Sequence, residues 1–217
     1  METSLQHERG VLLLSGGLDS AVVLAMAQRE CRDLYCLFFA YNQKTLSKER
    51  DCTRALAEHF HAKLLQEVDI GFLGEMTHAA LCTEASVVSG GNEYVPFRNA
   101  IFLSIATALA ESVRAKVIYI GSTGGDRICR DNSPEFREDF EKVIMSGTNA
   151  GERIEVAAPL ADVDKVGVVQ RGIQFGAPFE LTWSCHNNTD TPCGKCSNCI
   201  AREKAFSIVG IGDPILK

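Results

Sequence analysis

Short, continuous apolar runs recur along the chain at Val11–Leu14, Leu34–Phe39, Lys63–Val68 and Val117–Ile120. Runs of that length without polar alternation predict strands buried on both faces, as in a parallel sheet. Between them the apolar positions return at helical spacing. Asp19–Glu30 follows the first run, Lys48–Phe60 carries a mixed apolar face, and Arg98–Val113 places Ile101, Ile105, Ala108 and Leu109 on one side. Pro134–Met145 reads as a helix with Ser133 as N-cap, Pro134 at the first helical position and Gly147 beyond the end. A last strand falls near Ile154–Ala158 and a helix follows it. This alternation predicts a doubly wound, Rossmann-like α/β fold: a five-stranded parallel sheet of order 3-2-1-4-5 with right-handed crossovers and helices on both faces. Ligands of such sheets sit beyond the carboxyl ends of the strands, here the loops after Leu14, Phe39 and Ile120. The weakly periodic Gly71–Glu93, with Ser89-Gly90-Gly91-Asn92, reads as a partly irregular excursion over that edge. A boundary near Gly151–Leu160 separates residues 1–160 from 161–217, a C-terminal helical segment packed on the same core.

The first strand runs into Ser15-Gly16-Gly17-Leu18-Asp19-Ser20, which opens the first helix. Two glycines let the backbone turn tightly and bring successive N–H groups toward an anion, and the helix start adds unpaired donors and a positive dipole end. Ser15 and Ser20 can donate to the same phosphate oxygens, and Asp19 is the indirect partner expected for Mg²⁺, a hard cation that keeps its waters. A strand–turn–helix junction without ligand is the competing reading, but it requires neither the two serines nor the aspartate. A Walker A loop is ruled out because no Gly-Lys-Ser/Thr is present.

Composition narrows the class. Hydrophobic residues make up 46% and charged residues 23% of 217, the balance of an ordered globular protein. The net charge of -6 and pI near 5.4 argue against an extended nucleic-acid surface, whose affinity comes from Lys and Arg. No apolar run approaches the roughly 20 residues needed to span a bilayer, and Met1-Glu2-Thr3-Ser4 is no secretory signal, so a cytoplasmic protein without membrane contact is expected. Of the nine cysteines, Cys31, Cys36, Cys52, Cys82 and Cys129 are scattered without a framework, which argues against a disulfide scaffold at this length. Cys185, Cys193, Cys196 and Cys199 cluster. Four thiolates complete a tetrahedral Zn²⁺ site of the closed, structural kind, and an iron–sulfur cluster is the alternative ligand. The five histidines show no metal spacing and receive no role.

The SGGxDS loop resembles that of the PP-loop ATP pyrophosphatases, of the HUP class of Rossmann-like folds, which cleave ATP between the α and β phosphates and leave AMP on the substrate. Further segments follow in order: Tyr41-Asn42-Gln43, Tyr94-Val95-Pro96-Phe97-Arg98-Asn99, Gly121 to Asp126, Pro159-Leu160 before Lys165, Thr182-Trp183-Ser184-Cys185, and Cys193-Gly194-Lys195-Cys196-Ser197-Asn198-Cys199. Together they resemble the QueC family of queuosine precursor synthesis, from Val11 to about Arg202. The resemblance implies a PP-loop adenylation domain over 1–160, a zinc knuckle in 161–217, and a homodimer. It also implies a C–N bond-forming ligase reaction: the carboxylate of 7-carboxy-7-deazaguanine is adenylated, ammonia is captured as an amide, and a second ATP yields the nitrile. Ser15, Gly16, Gly17, Asp19 and Ser20 then bind ATP. Arg98 holds a carboxylate or phosphate through its planar fork, Lys165 acts as a point charge, and Asp126 meets Mg²⁺ or a purine N–H. Tyr41, Gln43, Phe97 and Asn99 fall to the heterocycle. Plainer roles stand beside these: a surface ion pair for Lys165, a helix-end salt bridge for Arg98, a turn aspartate for Asp126, core packing for Tyr41. Asp131, Asn132 and Glu135 read as caps of the following helix.

Three stretches depart from the family pattern. Its Tyr-Gly-Gln becomes Tyr41-Asn42-Gln43, its Val-Pro-Gly-Arg-Asn becomes Val95-Pro96-Phe97-Arg98-Asn99, and its Ser-Gly-Tyr-Pro-Asp-Cys-Arg is replaced by Arg127-Ile128-Cys129-Arg130-Asp131-Asn132-Ser133. The altered positions surround the acid and acceptor side, whereas the ATP loop and the knuckle are intact. QueC-like proteins also resemble components of bacterial antiphage operons, which implies a second outcome, transfer of the acyl group to a protein amine as an amide. A tRNA-thiolating PP-loop enzyme, with Cys36 and Cys129 as the cysteines to test, and a non-catalytic nucleotide-binding module complete the alternatives.

Overall fold

Five strands form one parallel sheet of order β3-β2-β1-β4-β5: β1 (His7–Leu13), β2 (Cys31–Ala40), β3 (Leu64–Asp69), β4 (Val117–Tyr119) and β5 (Glu155–Ala157). The computed structural model describes residues 6–83, 93–125, 129–149 and 153–216. Both the strand order and the parallel sense follow the sequence expectation. In register, Val11 stands between Tyr35 of β2 and Ile118 of β4. Successive residues of β1 serve opposite layers, as strand pleating requires. Leu12 packs with Val22, Leu24, Val168 and Phe206, and Val11 packs with Leu103, Ala106 and Ile144.

The first layer holds α1 (Leu18–Ala27), α6 (Lys165–Phe175) and α7 (Ser197–Val209); the second holds α4 (Arg98–Val113) and α5 (Pro134–Gly147). Helix α2 (Leu46–His59) sends Leu56 and Ala57 into the first cluster. Within the Gly71–Glu93 excursion, α3 (Phe72–Thr77) is helical, whereas Ser89-Gly90-Gly91-Asn92 lies outside the described residues. Leu160, Val168, Val169, Phe179 and Phe206 share one cluster with Leu12 and Val22, so the C-terminal segment closes the same core as β1. Among the described residues, no helix is long and apolar enough to cross a membrane.

Element ends differ from the apolar pattern where hydrogen bonds outrank hydropathy. Strand β1 starts at His7, four residues ahead of the apolar run, because its ladder with β2 begins at Cys31 whatever the side chains are. Helix α1 stops at Ala27 instead of Glu30: the Arg29 and Glu30 amides turn back to Met26 and Ala27, and the Glu30 carbonyl accepts from Gln6 and His7. Ser133 caps α5 as expected, its Oγ accepting from Phe136 N at 3.1 Å, and Gly147 is the last helical residue, not the one beyond it.

Candidate active site

The loops beyond the carboxyl ends of β1, β2 and β4 enclose a cavity of about 600 Å³, together with the first turns of α4 and α6 and the cysteine segment. It sits where a doubly wound sheet leaves room for a ligand, between the diverging β1 and β4 connections.

The floor is the glycine loop. Gly16 has φ +75, a left-handed conformation, and a Cβ there would lie 2.6 Å from the Glu49 carbonyl oxygen. A glycine is therefore required on both backbone and space grounds. The turn is held by its own hydroxyls: Ser15 Oγ accepts from Gly17 N at 3.3 Å, and Ser20 Oγ donates to Gly17 O at 3.0 Å. From outside, Trp183 N donates to Gly16 O at 2.9 Å, tying the loop to the cysteine segment. Helix α1 starts after its N-cap Gly17, which supplies no side-chain cap, and such a helix start suits an anion.

Asp19 and Lys165, 146 residues apart, meet at the cavity wall with Lys165 Nζ 2.7 Å from each carboxylate oxygen. Asp164 caps α6 one residue earlier, its Oδ1 accepting from Gly167 N, and so fixes where Lys165 emerges. An anion and a metal cation entering together would find in this pair one partner each.

Arg98 opens α4 and donates from Nη1 to the Tyr41 hydroxyl at 3.0 Å, with its guanidinium also over the Tyr41 and Phe102 rings. It makes no helix-end salt bridge among the described residues. Burial pushes the Tyr41 hydroxyl up to about 12 against the lowering pull of Arg98, so it stays a neutral donor. Gln43 is buried with its amide spent on the loop: Oε1 accepts from Tyr41 N at 2.8 Å, and Nε2 donates to Phe39 O and Glu49 Oε2, each at 3.0 Å. That leaves both its N–H donors occupied and makes Gln43 the brace that shapes the wall behind Tyr41.

Asn42 and Phe97, which replace family glycines, both keep left-handed backbones with φ 63 and 57. Asparagine tolerates that region, whereas a bulky side chain does not, and Phe97 holds it while 60% exposed. Its amide donates to the Tyr94 hydroxyl at 3.3 Å beside the cavity mouth. Asn99 lines the cavity, and its backbone N donates to Asp131 Oδ2 at 2.9 Å. Asp131 thus caps α4, not the following α5 as its sequence position suggests. Asp126, Arg127 and Ile128 lie outside the described residues.

Over the loop stand the four cysteines. Their sulfurs lie within 4.8 Å of one another, with Cys193 and Cys199 4.0 Å apart. A tetrahedral ion with S ligands at about 2.3 Å needs sulfurs about 3.8 Å apart, so the cluster matches a closed metal site with little contraction. The donor pattern agrees: Asn187 N and Cys193 N point at Cys185 Sγ, and Lys195 N and Asn187 Nδ2 at Cys193 Sγ, as thiolates demand. By contrast, Cys36 sits fully buried in β2 with its thiol pushed up to about 12 by burial, an environment that suppresses a reactive thiolate.

Four cavity residues carried no mark in the sequence reading. Glu49 braces Gln43 and Thr45. Buried Arg202, 2% exposed, binds both oxygens of Asp213 at 2.7 and 2.9 Å and also reaches Thr182, Ser184 and Phe179. Glu93 and His186 face each other, with Glu93 Oε1 3.4 Å from His186 Nδ1. Sequence spacing hides Glu93 and His186 because they meet across distant segments of the chain; only Cys185, next to His186, gave a hint.

A family model described as queuosine biosynthesis protein QueC matches residues 9–210. The 7-cyano-7-deazaguanine synthase of Methanoculleus marisnigri is 40% identical over 218 residues, which cover 96% of this chain and 98% of the relative. That of Chlorobaculum parvum is 38% identical over 217 residues, covering 95% of each. Among solved structures, the NMN synthetase from Francisella tularensis aligns with a TM-score of 0.52 over 97% of this chain and 81% of its own, at 15% identity, a likeness of fold alone.

Proposed function

The chain belongs to the QueC family, and from that footing we propose that it adenylates 7-carboxy-7-deazaguanine with ATP and converts the acid with ammonia to 7-cyano-7-deazaguanine. One observation carries the reading: a single cavity holds the glycine loop, the Asp19–Lys165 pair and Arg98. A carboxylate is a poor electrophile, and AMP supplies the leaving group it lacks. Arg98 holds the acid while one of its oxygens attacks the α-phosphorus and pyrophosphate departs. Lys165, released from Asp19, neutralises charge growing on the phosphoryl oxygens. Ammonia then displaces AMP to give the amide. The amide oxygen attacks the α-phosphorus of a second ATP and expels pyrophosphate; it then leaves with that AMP as the nitrogen gives up its two protons to solvent, and the nitrile remains.

Asp19 would hold Mg²⁺ through water, an ion that would offset triphosphate charge. Cys185, Cys193, Cys196 and Cys199 would hold Zn²⁺, which would lock the knuckle against the loop through Trp183. A homodimer follows from the family reading and is checked by sedimentation.

The second reading, an amide formed on a protein amine, is favoured by Phe97, which sits exposed and left-handed where the family has glycine. Mass spectrometry separates the two. The enzyme is supplied with ATP, Mg²⁺ and the acid, first with ammonium and then with candidate protein acceptors. Free nitrile with ammonium supports the main reading. No nitrile, with a protein mass increase equal to the acid minus water, replaces it with the ligase. If AMP forms with neither, the acid is the wrong substrate.

A further inference from the structure

Among the described residues, three carboxylates line the cavity: Asp19, Glu49 and Glu93. Two are spent. Both oxygens of Asp19 are taken by Lys165, and Glu49 gives Oε1 to Thr45 and Oε2 to Gln43. Glu93 differs. Its Oε1 accepts from Ser197 Oγ at 2.7 Å, which ties it to the first turn of α7, and Oε2 has no hydrogen-bond partner among the described residues.

The groups around it repeat the pattern. Asn198 donates from Nδ2 to His186 Nε2 at 2.7 Å, so the imidazole hydrogen resides on Nδ1. That buried Nδ1 makes no hydrogen bond, although Glu93 Oε1 is 3.4 Å away. The wall of Glu93, His186 and Asn198 is thus tied to the first turn of α7 yet incompletely paired. A flat polar ligand is what such a wall lacks.

We propose that Glu93 recognises the guanine-type edge of the heterocycle, its carboxylate accepting from the ring N1–H and the exocyclic 2-amino group. Two adjacent donors on one planar edge match the two oxygens of a carboxylate, as bidentate pairs do elsewhere. Charge follows the same logic, with the anionic edge of the ligand at Arg98 and its donor edge at Glu93. The heterocycle is then fixed in one orientation, with the carboxylate presented to the loop. This rests on the acid reading above and adds the residue that selects its purine-like edge.

The test measures AMP release from the 7-carboxy acid and from its analogue lacking the 2-amino group, with the parent enzyme and with Glu93→Gln. The parent should favour the amino acid-edge substrate by at least about tenfold in kcat/KM, since a site left with an unpaired acceptor rejects the analogue. Glu93→Gln should narrow that preference to within about threefold by raising KM for the acid, with KM for ATP unchanged as the sign of an intact fold. A parent that uses both acids equally overturns the assignment without any variant. Glu93→Gln that retains the parent's preference overturns it alone, with the acid reading left standing. A parent that releases no AMP from the 7-carboxy acid overturns both.

Discussion

Gly16 and Gly17 are neighbours with different physical requirements. At Gly16 the left-handed φ and the Glu49 carbonyl 2.6 Å from a Cβ both exclude a side chain. Gly16→Ala is expected to cost about 1–3 kcal/mol and to weaken ATP binding, read by a denaturant melt and a nucleotide titration. Gly17 is extended, φ -80, and a Cβ would meet Ser15 Oγ at 3.3 Å and Trp183 O at 3.7 Å. Gly17→Val should therefore keep the fold and lose ATP binding, because its methyls occupy the path of the phosphate; unchanged nucleotide affinity would refute the loop assignment. Phe97 carries the opposite strain. Phe97→Gly should raise stability by about 0.5–1 kcal/mol, the left-handed strain relieved less the entropy glycine adds to the unfolded chain. A melting temperature below the parent's would contradict this.

At the scale of elements, α7 and the segment before it are joined by one buried cation. Arg202 reaches Asp213, Thr182, Ser184 and the Phe179 carbonyl, so α7, the turn at Phe179–Leu181 and the C-terminal Asp213 share a single staple. Arg202→Met leaves Asp213 buried without its countercharge, at a cost of about 3–5 kcal/mol, measurable as a drop in the denaturant midpoint. The knuckle meets the same staple through Ser184, and under the proposed reading a bound metal closes it. Cys196→Ser, with Cys196 fully buried as the N-cap of α7, should lower the melting temperature far more than it alters the AMP release of the fraction that stays folded. A chelator should lower the parent's melting temperature in the same way.

For the whole molecule, the site depends on where a sheet edge, two helix starts and a four-cysteine knuckle converge. Lys165→Met keeps the apolar stem and removes the charge, so AMP release should fall about 10²- to 10³-fold while thermal stability changes little, the pair with Asp19 being partly solvated. An equal loss of stability would make Lys165 a structural residue. The convergence at Lys165 is legible only in part from the chain: its position after Pro159-Leu160 suggests a role, but its partner Asp19 lies 146 residues away.

The sheet order, the glycine loop and the four-cysteine knuckle were all readable along the chain. Each is encoded by neighbours: apolar runs and helical spacing, a strand–glycine–helix junction, thiols a few residues apart. What the chain alone left undecided depends on contacts between distant segments. Tertiary packing made Gln43 a brace of the loop, moved the Asp131 cap from α5 to α4, and brought Glu93 to His186 across a gap of 93 residues. A hydrogen bond is short and directional, so its partner is chosen by which backbones the fold brings within about 3 Å of each other. Hydrophobic periodicity sets that arrangement collectively and marks no single polar side chain in advance.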